Sequence, residues 1–100
     1  MRVIEVTRRV VVFPETLVGH DIANASVGHH VATVEDETNG KRYAYVEQWL
    51  VPWKATAGAR MVSRGAWEVD TRGNIDFSKE STALSEVEKV IEQAGLKQRI

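Results

Sequence analysis

The chain has 100 residues, 43% of them apolar and 27% charged, and thirteen Lys and Arg stand against fourteen Asp and Glu for a formal net charge of −1. These proportions fit one globular domain over residues 1–100, and the near balance of charge excludes a strong overall field of the kind a general phosphate-backbone binder uses. With no cysteine at all, a disulfide scaffold, a thiolate zinc site and a thiol nucleophile are excluded too.

The first predicted element is a strand over residues 2–13, rich in β-branched side chains. Its first half carries Glu5, Arg8 and Arg9 like an edge, whereas Val10 to Phe13 is apolar on both sides like a central strand. That apolar run is also far too short for a secretory core of about 7–15 residues or a spanning helix of about 20. The expected location is therefore the cytoplasm, with no membrane partner. Pro14 ends the strand, and residues 14–26 have the composition of a loop.

Two β-prone runs follow, Val27 to Glu37 and Lys41 to Trp53, joined at Asn39-Gly40. That pair suits a two-residue type I′ turn, which predicts a hairpin with Glu37 opposite Arg42, Val34 opposite Tyr45 and His30 opposite Trp49. Residues 54–58 form a small polar connection. From Ala59 to Asp70 the chain alternates, Met61, Gly65, Trp67 and Val69 on one side and Arg60, Arg64 and Glu68 on the other, as a half-buried strand does. A turn at Thr71 to Asn74 leads into a short strand over Ile75 to Phe77. The period then changes. Leu84, Val87, Ile91 and Ala94 lie at helical spacing, Gly95 suits the position after the helix, and Ser78, Ser81 and Ser85 are the candidate caps, which predicts an amphipathic helix over residues 81–94. The order implies an α+β fold: a mainly antiparallel sheet of four to five strands with one C-terminal helix on one face. A single helix covers only one side, so the other face is left to solvent, to the 14–26 segment or to a partner.

Four of the seven aromatic residues, Tyr43, Tyr45, Trp49 and Trp53, share one side of the second hairpin strand, and Ala44, Val46 and Leu50 share the other. Aromatic side chains on one side of a strand are more often core than platform. If the helix instead takes the aliphatic side, the aromatics look outward and form a partner-binding face with Lys41, Arg60 and Arg64. Arg8 and Arg9 add to a basic patch only if their strand neighbours that of Arg60 and Arg64.

His20-Asp21, His29-His30 and Glu35 to Glu37 are the only material for acid–base or metal chemistry. Adjacent strand residues point to opposite faces, so His29 and His30 cannot jointly bind an ion. No serine is posed by nucleophile-elbow glycines, and no glycine-rich loop carries the spacing or lysine of a phosphate cradle. The expectation is accordingly a non-catalytic protein with no metal or cofactor. It binds a protein partner or itself, as a homodimer, through the aromatic face or a sheet edge, in the manner of the small accessory or inhibitory factors that phages and mobile elements encode. A nucleic-acid-binding module using the aromatics and scattered arginines is the alternative. A small enzyme or ligand-binding protein using His20, Asp21 and His30 at a loop-lined pocket ranks third.

Overall fold

A computed structural model of the chain describes residues 1–11, 24–52 and 60–96. Five strands, β1 (Arg2–Val11), β2 (Asn24–Glu35), β3 (Arg42–Pro52), β4 (Arg60–Val69) and β5 (Ile75–Glu80), precede one helix, α1 (Leu84–Gln93). The strands lie side by side in chain order and every pair is antiparallel. The fold is therefore the α+β arrangement the sequence predicts, with the C-terminal helix on one face. Among the described residues no helix is long and apolar enough to cross a membrane.

The register differs from expectation at the β2–β3 turn. Gly40 has φ +72° but Asn39 does not take a positive φ, which excludes type I′. The Asp36 carboxylate instead accepts the Thr38 N–H at 3.0 Å, and the Gly40 N–H closes onto the Asp36 carbonyl at 2.8 Å. An Asx turn thus lengthens the loop to four residues. Glu35 then faces Arg42, and Val34 faces Tyr43. This two-residue change preserves the faces, but a bulge between His30 and Ala32 does not. It places Val31 and Ala32 in one cluster and turns His30 away from Trp49 to pair with Val46.

All four ladders carry such irregularities. In β1 they fall between Val3 and Glu5 and between Val6 and Arg9. Within the second, Arg8 takes φ +50° and its guanidinium donates to the Leu96 carbonyl at 2.7 Å, while the Thr7 hydroxyl donates to the His30 carbonyl at 2.6 Å. β1 is an edge along its whole length. Of the Val10 to Phe13 run expected to be central, Val10 and Val11 lie on this edge, with Val10 72% exposed, and Val12 and Phe13 lie outside the described residues.

Two apolar clusters result. On one face Val31, Val34, Tyr43 and Tyr45 pack against Val87 and Ile91 of α1. On the other, Ala44, Val46 and Trp67 meet Val11 of β1 and Ile75 and Phe77 of β5. β1 and β5 are opposite edges of the sheet, so side chains of both reach one cluster only because the bulged strands bend the sheet towards this side. Gly65 makes room in it, since the Trp67 indole lies over its Cα and a Cβ there would stand 2.6 Å from Cη2.

The helix is shorter than the predicted 81–94. Ser81 accepts the Ala83 N–H at 3.1 Å, one step before the helix, and the position preceding Leu84 has no side-chain cap. Gly95, at φ +70°, ends it as expected, with Leu96 N–H bonded to the Ile91 carbonyl at 3.1 Å in a Schellman closure. β5 runs to Glu80, three residues past the predicted Phe77, and residues 24–26 belong to β2 rather than to the loop.

Candidate functional site: a groove on the face opposite the helix

The site is built around His30, which the β2 bulge directs to the face without α1. It is 7% exposed, its Nε2 hydrogen-bonds to Thr33 Oγ1 at 3.1 Å, and together they floor a hollow of about 220 Å³. Burial lowers the imidazole's pKa below its ordinary 6.5, with nearby Arg9 acting in the same direction and a backbone hydrogen bond at Ala32 opposing both. The ring is neutral at pH 7.

Two walls rise from this floor. β1 supplies Glu5 and Arg9, an ion pair at 3.7 Å. The β4–β5 turn supplies Asp70 and Arg72, and Arg42 of β3 lies between them. Asp70 is a structural group. Its Oδ1 accepts the backbone N–H of both Arg72 and Asn74 at 2.9 Å, which holds its pKa below the usual carboxylate range and lets Gly73, at φ +86°, complete the turn. Arg42 pairs with Glu35 at 3.7 Å, and Glu35 also takes Arg2 at 3.2 Å. Among the described residues Arg72 enters no ion pair.

Neighbouring hollows extend this one at both ends. Towards the β2–β3 turn a hollow of about 340 Å³ shares Arg42, Val69 and Asp70 and adds Lys41, which pairs with Glu68 at 3.3 Å. At the other end a hollow of about 280 Å³ shares Arg9, His30 and Gly73 and is lined by Val11, Ile75 and Phe77. The three run together, with guanidinium groups in the middle and an apolar pocket at one end, while the other end passes round the margin of the sheet to the Lys41–Glu68 pair, since Glu68 stands opposite Tyr43 on the α1 side.

The residues proposed from the sequence as a partner face are not brought together. α1 packs on the aromatic side of β3, leaving Tyr43 8% and Tyr45 0% exposed, and Trp49 farther along is 9% exposed. That side is core, so the outward-facing arrangement does not form. Tyr45 donates to Glu47 Oε2 at 3.3 Å, and burial followed by the Glu47 charge raises its pKa. Arg64 lies on the same side and pairs with Glu88 of α1. Arg60 of β4 stands opposite Leu50 of β3, and two strands separate β4 from the β1 of Arg8 and Arg9, so the conditional basic patch is not assembled. Lys41 alone of that set lines the groove. Trp53, His20 and Asp21 lie outside the described residues. The expected pairing of His30 with Trp49 fails: Trp49 stands opposite Val27, and His29 faces Glu47.

Sequence reasoning missed Glu5, Arg9, Arg42, Asp70 and Arg72 as a set. They come from three separate stretches, and only the Asp70-Thr71-Arg72-Gly73 turn chemistry is a local signal. Among the described residues no group of three or more His, Asp or Glu side chains is placed to hold a metal ion. Searches against protein-family models, curated proteins and solved structures find no match for the chain.

Proposed function

We propose that the protein is a non-catalytic interaction module of the cytoplasm that receives an extended segment of a partner protein in the groove opposite α1. The observation that carries this reading is the groove's graded lining: guanidinium groups at its centre and Val11, Ile75 and Phe77 at one end suit a segment with an acidic side chain beside an apolar one.

The sheet edges are poorer candidates. In β5 the Asp76 carboxylate occupies the Ser78 N–H at 3.0 Å, and in β1 two bulges and the left-handed Arg8 interrupt the row of free backbone groups. Both are devices that blunt strand addition. The groove's acid–base groups are committed to structure, His30 to Thr33, Asp70 to its turn and Glu5 to Arg9, which supports binding rather than turnover. Alternating charge around the groove is a poor track for a run of phosphates, so nucleic acid is not favoured.

Selection of peptides from a random display library on the full chain tests this. The expected result is enrichment of segments pairing Asp or Glu with an apolar neighbour, lost with Arg72→Glu. Enrichment indifferent to Arg72 and Phe77 substitutions overturns it. One observation favours a second reading, self-association: Val6 and Val10 of β1 are 52% and 72% exposed. Sedimentation of the wild type and of Val10→Lys distinguishes a dimer formed there from a monomer.

A further inference from the structure

We infer that the middle of the groove is a carboxylate-binding subsite, and that His30 takes up a proton as the carboxylate enters. This deepens the proposed function and rests on its reading of the groove as the binding surface.

Charge selects the class of group. Arg9, Arg42 and Arg72 line the central hollow with Glu5 and Asp70, and Glu35 at its margin is shared between Arg42 and Arg2, so one positive charge is left over a neutral His30. A single carboxylate balances it. A phosphate dianion would leave an excess of negative charge beside Glu5 and Asp70. Arg72 is the natural first contact: the other two guanidinium groups already have carboxylate partners at 3.7 Å, whereas Arg72 is in no ion pair among the described residues, and its backbone is fixed by Asp70. A guanidinium fork held on a rigid turn suits a planar carboxylate.

The proton follows from His30's place on the floor. The charged groups lining its hollow are Glu5 and Arg9 from β1, Arg42 from β3, and Asp70 and Arg72 from the β4–β5 turn, with Thr33 on its own strand. His29 pairs with Glu47 in the register, which places it on the opposite face. In the empty groove burial and Arg9 keep the imidazole neutral. An added negative charge in the same hollow favours the imidazolium, so the bound state holds more protons than the free state. Affinity must then rise as pH falls through the interval between His30's free and bound pKa values.

The test is an NMR titration of the full chain with sodium acetate, and in parallel with inorganic phosphate, at pH 7.5 and 5.5, following the His30 ring and the arginine Nε–H signals. Acetate is expected to saturate, about fivefold tighter at pH 5.5, with His30 moving to its protonated shift. Arg72→Gln should abolish saturation. In His30→Asn, with His30→Gln as a second variant, the ratio of acetate affinities at the two pH values should fall to about one. Tighter binding of phosphate than acetate, equal acetate affinity at both pH values, or saturation surviving Arg72→Gln each overturns the inference. If selected peptides bind the groove while acetate leaves His30 and Arg72 unmoved, the subsite fails and the docking reading stands. If neither binds, both fail.

Discussion

The two faces of the sheet are buried by different means. Under α1 a separate element closes the surface, and Val31, Val34, Tyr45, Val87 and Ile91 have no exposure at all. On the opposite face Ala44 and Val46 are equally inaccessible although α1 does not cover them. There the sheet itself does the covering, by bending until Val11 of one edge and Phe77 of the other join the cluster around Trp67, whose ring meets Phe77 edge-on with centroids 5.3 Å apart. A lid leaves a dry interior. A bent sheet closes only along part of its length, and the unclosed remainder is a groove whose walls take charged side chains. The apolar content that one helix cannot hide is thus absorbed by curvature, and the same curvature makes the candidate site.

The difference is broken most severely from the helix side. Ile91→Ala should cost about 2–5 kcal/mol in denaturant unfolding, because a fully buried side chain is removed from the apolar layer in which α1 packs on the sheet. Val10→Ala, at a comparable apolar residue that is 72% exposed, should stay within about 0.5 kcal/mol. An Ile91→Ala cost as small as that would mean the helix does not hold its face.

The bent face is probed by Gly65→Ala. The added Cβ meets the Trp67 indole at 2.6 Å, and the ring must leave its place over the strand, at about 1–3 kcal/mol. Near-ultraviolet circular dichroism should change with it. The clusters share no buried residue, so the double variant Gly65→Ala/Ile91→Ala should be additive to within about 0.5 kcal/mol. A larger coupling would show that the faces are one core. Gly73→Ala is gentler. Nothing stands within 4 Å of the added Cβ, and only the positive φ of 86° opposes it, so about 1 kcal/mol is expected. Its clearer signature should be weaker peptide binding, because the turn that sets Arg72 is disturbed.

Much of the architecture was legible in local pattern. The helical spacing of Leu84, Val87 and Ile91, the turn at Thr71 to Asn74 and the change of period after Ser78 all have physical causes within a few residues of chain. Faces and register were not. Whether Asn39-Gly40 forms a two-residue turn depends on Asp36, three residues earlier, capturing the Thr38 N–H. Whether His30 lies beside Trp49 or Val46 depends on a bulge at Val31 that no residue type announces and that packing against α1 and β1 decides. The site inherits this dependence. His30 was singled out as a pocket residue, but its companions could be assembled only once the bulges were known.

The smallest effect separates the faces by pH. His30 is held below its ordinary pKa of 6.5 in the folded groove, so the unfolded chain binds its proton first and stability falls as pH drops from about 6.5 towards the folded value, then levels off. Asp36, Asp70 and Asp76 act in the opposite window. Their turn hydrogen bonds hold them below 3.8, so the stability they contribute is present above that pH and is lost only as acidity increases beyond it. Between pH 7.5 and 5.0, therefore, the slope due to His30 is free of the turn aspartates. Urea unfolding of the wild type and of His30→Asn across that interval should give a falling curve for the first and a flatter one for the second. An unchanged slope in the variant would place the titrating group elsewhere, and would remove the imidazole from the floor of the groove as the group that senses charge there.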